Sequence, residues 1–317
     1  MTSSIGIPTL DLNDFINGDA VKRDAFVHAL GRAYEDIGFV ALKNHGLSDE
    51  LVAALYAEVT SFFSLPNRVK ETYNLPGMAG QRGYTPFGRE HAKGRNTGDL
   101  KEFWQFGQYD VQQGNVVDEY PPNPIVSELP GFNERGREAY KTLEKTGFEV
   151  LRALALYIGL EERFFDPWVI AGNSILRAIH YPPIDSDPGD AVRAAEHEDI
   201  NLITLLMGAS AEGLQVLNRK NEWVDVTALP DMIVVNVGDM LQRLTNNMLR
   251  STTHRVINPP KEKWGNSRFS IPFFLHPRSD MPLNVLDVCV DHNRPKAYED
   301  ISAGDYLNQR LQEIGLK

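Results

Sequence analysis

With a single cysteine, Cys289, the 317-residue chain has no means of forming an intramolecular disulfide. No apolar run approaches the ~20 residues of a membrane span, and the N-terminus lacks the charged-then-apolar layout of a secretory signal. Basic residues are scarce relative to acidic ones. Lys and Arg number 32 against 43 Asp and Glu, a formal net charge of −11, and no basic stripe is present. That balance argues against nucleic acid or an anionic membrane as the main partner. Internal repeats and low-complexity segments are missing too. Together these absences predict a reducing, cytoplasmic setting, with Cys289 a buried bystander in the apolar run Val285 to Val290.

What is present is an ordinary globular composition, 42% hydrophobic and 24% charged, on a chain long enough to bury a substantial core. Its first part reads as a strand ending near Leu12, then a helix with an apolar stripe of Phe26, Leu30, Ala33 and Ile37, ended by Gly38. A buried strand, Phe39 to Leu42, and a turn at Asn44-His45-Gly46 precede a helix capped by Ser48 and closed by Pro66. From about Leu75 to Pro130 the chain is rich in Gly, Pro and polar residues with aromatic patches such as Phe103-Trp104-Gln105-Phe106, a pattern of binding loops that would carry substrate specificity.

A long helix is predicted over Glu134 to Ile158. Short strands follow at Ser174 to Tyr181, Asp199 to Met207, Gly213 to Leu217, Trp223 to Val226, Met232 to Val237, Leu241 to Leu244, Ser251 to Ile257 and Arg268 to Leu275, with Gly238-Asp239 as a tight hairpin turn. Asp305 to Lys317 reads as an amphipathic helix covering the sheets. The expected organisation is α+β: a helical and strand region with specificity loops over residues 1–130, and an antiparallel sandwich or barrel over 131–317 as catalytic core, the two forming one compact unit.

Chemistry concentrates between His197 and Ser270. His197-Glu198-Asp199 opens an apolar run that reads as one strand, where residues two apart share a face, so an imidazole and a carboxylate converge while Glu196 and Glu198 point away. His254, in the β-branched segment Ser251 to Ile257, can add a second imidazole from a facing strand. Two His and one carboxylate with open positions suit a non-haem Fe(II) oxygenase. Arg268-Phe269-Ser270 is another same-face pair, able to grip a carboxylate such as that of 2-oxoglutarate through a bidentate guanidinium and a hydroxyl. The other histidines His28, His45, His91, His276 and His292 are assigned surface or structural roles.

At these residues the sequence resembles the 2-oxoglutarate- and Fe(II)-dependent dioxygenases of the isopenicillin N synthase-like family. The matches are His197-x-Asp199, His254-Arg255-Val256, Arg268-x-Ser270 and the tyrosine of His180-Tyr181-Pro182, with further likeness at Ile7 to Leu12, Gly38-Phe39-Val40, Asn44-His45-Gly46 and Gly83-Tyr84. The resemblance implies a double-stranded β-helix, or jelly roll. It implies His197, Asp199 and His254 as catalytic metal ligands, and Arg268, Ser270 and Tyr181 as the 2-oxoglutarate site. It also implies an enzyme that couples oxidative decarboxylation of 2-oxoglutarate, to succinate and CO2, with O2-dependent oxidation of a small molecule, most simply by hydroxylation. Fe(II), 2-oxoglutarate and O2 are the implied cofactor and co-substrates, and ascorbate belongs in the assay mixture. A monomer or homodimer is expected.

For the primary substrate the candidates are Arg177, Phe274, Tyr84 and Phe103. Strand parity places Arg177 with Ile179 and Tyr181, and Phe274 with Arg268 and Ser270. An inward arginine predicts an acidic substrate; its alternative is a rim arginine paired with a structural acid. Two other functions fit the same residues. One is an isopenicillin N synthase-like oxidase that uses no 2-oxoglutarate, although that enzyme's metal-approaching Gln near its C-terminus is not clearly matched by Gln312 to Lys317. The other is a metal-free jelly-roll binding protein.

Overall fold

The computed structural model describes residues 7–92, 94, 97–109, 120–208, 212–226 and 231–317. Its strands are β1 (Thr9–Asp11), β2 (Phe39–Lys43), β3 (Gly83–Thr85), β4 (Glu102–Phe106), β5 (Ile175–Tyr181), β6 (Ala194–His197), β7 (Ile203–Met207), β8 (Leu214–Leu217), β9 (Trp223–Asp225), β10 (Ile233–Val237), β11 (His254–Val256) and β12 (Arg268–Leu275). The helices are α1 (Leu12–Ile16), α2 (Ala20–Asp36), α3 (Asp49–Phe63), α4 (Asn67–Lys70), α5 (Pro130–Tyr157), α6 (Asp166–Val169), α7 (Asp239–Leu244) and α8 (Ala303–Glu313).

The strands form two sheets that face each other as a jelly roll, an eight-stranded one in the order β1-β2-β10-β7-β12-β5-β4-β3 and a four-stranded one in the order β6-β11-β8-β9. Strands from both sides of residue 130 therefore share the larger sheet. Alternation along β12 shows why the sequence folds this way. Phe269, Ile271, Phe273 and Leu275 face the helices, while Arg268, Ser270, Pro272 and Phe274 face a cavity between the sheets. Both faces are covered, so the strand reads as a nearly continuous apolar run.

The outer face of the larger sheet rests on α5, whose Leu143, Val150, Leu151 and Leu154 are buried. Close approach is possible because Gly147 lacks a side chain: a Cβ there would lie 2.3 Å from Leu275 Cδ1. Helix α3 starts where Ser48 Oγ accepts the Leu51 N–H at 3.2 Å, with Asp49 and Glu50 in its first turn. No described helix is long and apolar enough to cross a membrane.

Three expectations are corrected. The 75–130 stretch is not wholly irregular, since it supplies β3 and β4; its residues 93, 95, 96 and 110–119 lie outside the described ones. Leu241 to Leu244 is helical, not a strand, and Gly238-Asp239 is no hairpin turn. The N–H groups of Gly238, Asp239 and Met240 bond to the carbonyls of Leu202, Asp199 and Asn201, which docks the chain on the neighbouring loop and lets α7 begin. The third concerns His197 through Met207, which is two strands in different sheets: β6 ends at His197, and β7 begins only at Ile203.

Gly38 connects α2 to β2 at φ +74°, where a Cβ would lie 2.3 Å from the Arg250 carbonyl oxygen. Arg250 N–H donates to Tyr34 O at 3.0 Å and Thr252 Oγ1 donates to Ile37 O at 2.7 Å, so this joint also holds the segment that delivers His254. Gly38→Ala adds left-handed strain to a backbone clash and should lower unfolding stability by about 2–5 kcal/mol, read from the shift in urea midpoint at unchanged slope.

Candidate metal centre and its cavity

His197, Asp199 and His254 come together although the first two are not on one strand. Chain direction changes after His197 as the backbone crosses from the smaller sheet to the larger, and Asp199 sits in that crossing. His254 is delivered by β11, where it is the cross-strand partner of His197. The three ligand atoms lie within 4.8 Å of one another, and the two imidazole rings are 4.4 Å apart.

Each side chain is oriented by its other polar atom. His197 Nδ1 lies 2.7 Å from Ala195 O and His254 Nδ1 lies 3.0 Å from Thr252 O. A carbonyl only accepts, so both Nδ1 atoms carry the proton and both Nε2 lone pairs are left for the cluster. Asp199 Oδ2 accepts from Thr204 Oγ1 at 2.6 Å and from Asn236 Nδ2 at 2.8 Å, while Oδ1 lies 3.7 Å from His254 Nε2.

Burial, reinforced by the neighbouring His254, holds His197 below the usual imidazole range. Burial pushes the Asp199 carboxyl upward, but the two histidines and its two hydrogen-bond donors outweigh it and keep the group low. Two imidazole Nε2 atoms beside an ionised carboxylate form a donor set for a borderline divalent cation such as Fe(II), Mn(II) or Zn(II).

This cluster opens on a cavity of about 590 Å³ lined from both sheets, from Glu90, His91, Ala92, Asp99 and Lys101, and from α8. Arg268, 1% exposed, donates from Nε to Glu212 O at 3.2 Å and stands 5.0 Å from the Tyr181 ring centre, its partner across the β5–β12 ladder. The hydroxyls of Ser270 and Tyr181 line the same region, and among the described residues neither has a hydrogen-bond partner. Two unpartnered hydroxyls beside a buried guanidinium fit a carboxylate of a dicarboxylic keto acid, the other end of which would reach the metal.

The substrate candidates fare differently. Arg177 lies in the cavity wall with its guanidinium between the rings of Phe103 and Phe274, at 4.2 and 5.2 Å from their centres. Its charge is already met: Nη1 contacts both Glu90 oxygens at 3.1 Å and Nε donates to Gln105 Oε1 at 2.9 Å. Phe274 lines the cavity. Phe103 is buried behind Arg177 and backs the wall without lining it. Tyr84 lies on the opposite face of the sheet, its hydroxyl on Glu102 in a buried group with Lys70 and His180, because β3 pairs it with Trp104.

Several residues here were not anticipated. Glu90, Lys101 and Asp99 extend the Arg177 pair into a buried chain of alternating charge, with Lys101 Nζ 2.7 Å from Glu90 and 2.9 Å from Asp99. Asp99 Oδ1 then accepts the Ala195 N–H at 3.2 Å, two residues before His197. Lys101 and Gln105 could have been found, since they share the face of Phe103 on β4; Glu90 and Asp99 lie outside any periodic element and carried no signal. Leu307, Leu311 and Ile314 of the C-terminal region line the cavity, as does His276, which burial pushes down to about 4 and so keeps neutral.

Both halves of the chain match known families. Residues 7–128 match the N-terminal region of the non-haem dioxygenase in morphine synthesis, and residues 172–277 match the 2OG-Fe(II) oxygenase superfamily. The proline hydroxylase buaE of Petromyces alliaceus is 33% identical over 96% of this chain and 98% of its own length. The 2-oxoglutarate-dependent dioxygenase htyE of Aspergillus rugulosus is 31% identical over 96% of this chain and 95% of its own. Among solved structures, a full-length Neurospora crassa protein in complex with alpha-KG and thymine superposes with a TM-score of 0.86 at 30% identity, covering 98% of each chain.

Glu90 yields a pH prediction. Burial raises its pKa, but Arg177 and Lys101 outweigh that and hold it at about 2, below its ordinary value of 4.5. The stabilisation is present above pH 4.5 and lost as pH falls through 2. Glu90→Gln should cost about 3–5 kcal/mol at neutral pH, and the gap to wild type should narrow between pH 4.5 and 2 in denaturant titrations. A gap independent of pH would show that Glu90 does not carry this charge coupling.

Proposed function

Because the chain belongs to the 2OG-Fe(II) oxygenase superfamily, we propose that His197, Asp199 and His254 hold the Fe(II), and that Arg268, Ser270 and Tyr181 hold the distal carboxylate of 2-oxoglutarate. The chain is a non-haem Fe(II)- and 2-oxoglutarate-dependent dioxygenase. The observation carrying the residue assignment is the convergence of two imidazoles and one carboxylate, their ligand atoms within 4.8 Å of one another, beside two hydroxyls that have no partner among the described residues. A bound Fe(II), with 2-oxoglutarate as electron donor, would activate O2 as the oxidant of a C–H bond of the substrate.

The protein's own residues prepare that chemistry. Carbonyls of Ala195 and Thr252 fix both imidazoles in the tautomer that leaves Nε2 available. Thr204 and Asn236 hold Asp199 Oδ2, so Oδ1 faces the metal position as the one anionic ligand. Buried Arg268 sits where water competes weakly for a carboxylate, and a planar guanidinium grips that group bidentately.

The cavity size supports a small primary substrate. So do the relatives, one named a proline hydroxylase and one solved with thymine. An acidic substrate was expected from an inward Arg177; the pairing with Glu90 leaves that reading without the uncompensated cation it required. Dependence on 2-oxoglutarate also sets aside the oxidase alternative.

Three measurements test this reading. Purified protein with Fe(II), 2-oxoglutarate, ascorbate and O2 should release succinate in a substrate-dependent way, and a chain that neither releases succinate nor takes up metal would refute the proposal. In equilibrium dialysis with Mn(II), His197→Ala should lose uptake, and Asn236→Ala, which removes one of the two donors to Asp199 Oδ2, should weaken it by about 10–100-fold. Arg268→Lys should raise the KM for 2-oxoglutarate roughly 10- to 100-fold; an effect confined to the KM of the primary substrate would move Arg268 to the substrate site.

A further inference from the structure

Arg268, Ser270 and Tyr181 account for one end of the cavity, and the metal cluster stands opposite the middle of β12, where Thr204, which holds Asp199, pairs with Phe274; the wall from Phe274 onward is left for the primary substrate. Along the inner face of β12 the lining runs Arg268, Ser270, Pro272, Phe274 and then His276 just past the strand. Arg268 to His276 is eight residues, roughly 26 Å of extended chain, so His276 marks the end away from the carboxylate grip. Nothing in the sequence distinguished this histidine from a structural one.

Its surroundings do. The His276 side chain is 7% exposed and faces the cavity, and neither ring nitrogen has a hydrogen-bond partner among the described residues; Nδ1 is fully enclosed. Among the described residues only its backbone is hydrogen-bonded, the N–H donating to Ser174 Oγ at 3.1 Å and the carbonyl accepting from the same hydroxyl at 3.3 Å. A buried polar group left unpaired costs about 1–3 kcal/mol, a cost that a ligand in the cavity can relieve.

Arg177, on the same cavity wall with its guanidinium 5.2 Å from the ring centre of Phe274, two residues before His276, adds the second element. Nε and Nη1 of Arg177 are used by Gln105 and Glu90, whereas Nη2 has no partner among the described residues. The pair offers N–H donors but no net charge. Ile175 and Phe274 supply apolar surface beside it.

We propose that His276 is a specificity-determining residue, accepting a hydrogen bond from an N–H of the primary substrate while Arg177 Nη2 donates to an adjacent carbonyl. The substrate class this selects is an uncharged cyclic amide or imide. A carboxylate would meet an arginine already neutralised by Glu90 and an uncharged imidazole. This assignment rests on the reading of the cavity as the Fe(II) and 2-oxoglutarate site.

The test uses the full chain loaded with Mn(II) and 2-oxoglutarate, so that nothing turns over. Three ring compounds of similar size serve as probes: 2-pyridone, which has the N–H; 1-methyl-2-pyridone, which lacks it; and benzoate, which is anionic. Binding is followed by the relaxation of probe protons near Mn(II). The expected result is that 2-pyridone binds about tenfold more tightly than either other probe. His276→Leu should erase that preference, and His276→Gln, which restores a hydrogen-bonding atom near the Nε2 position, should recover part of it.

Equal binding of the three probes, a preference for benzoate, absence of 2-pyridone binding at millimolar concentration, or an undiminished preference in His276→Leu would each overturn the proposal. Failure to take up Mn(II) and 2-oxoglutarate would instead overturn the reading of the site itself, and this inference with it.

Discussion

The molecule depends on how one carboxylate is held. Asp199 sits where the chain leaves the small sheet for the large one, and its atoms serve different neighbours: Oδ2 takes the hydrogen bonds of Thr204 on β7 and Asn236 on β10, its backbone oxygen takes the N–H of Asp239, and Oδ1 remains for the imidazoles. The two histidines, together with two buried donors on one oxygen, keep the group ionised in a place where burial alone would favour its neutral form. The joint between the sheets and the candidate metal site are thus the same few residues. A change in either sheet that moves β7 against β10 is felt at Oδ1.

Charge inside the cavity is managed by compensation along a line. Arg177, Glu90, Lys101 and Asp99 alternate in sign and are all largely buried, and the line ends on the backbone two residues from His197. Substrate-facing and metal-facing parts of the wall are therefore mechanically continuous. Buried pairs of this kind add little net stability compared with apolar packing, but breaking one leaves its partner uncompensated. Their value here is geometric, since the line fixes both the Arg177 guanidinium and the start of β6.

Much of this was legible in the sequence because periodicity and ligand chemistry are local. The helices from Ala20, Asp49 and Pro130 announce themselves by apolar stripes and caps, and the inward face of β12 follows from simple alternation. The three metal-site residues could be named from their types and order. Their geometry could not: strand parity put His197 and Asp199 on one face, whereas the actual convergence comes from a chain crossing between sheets. Leu241 to Leu244 misled in a similar way, because hydrogen bonds to a distant loop, which no local pattern encodes, turn the chain into a helix after Gly238. Glu90, Asp99 and His276 were missed for the same reason. Each acquires its significance only from residues far away in sequence.

The cavity has two kinds of wall. β5, β7, β10 and β12 are interior strands of the larger sheet, so an altered residue there disturbs pairing on both sides. The wall at Leu307, Arg310 and Leu311 belongs to α8, which is part of neither sheet, and Ile314 just beyond it accepts the His91 N–H. Substitutions on that face can redraw the cavity without rewiring any ladder. Divergence of substrate preference among duplicated copies of such a gene should therefore accumulate first in the last dozen residues, while the sheet-borne wall stays fixed.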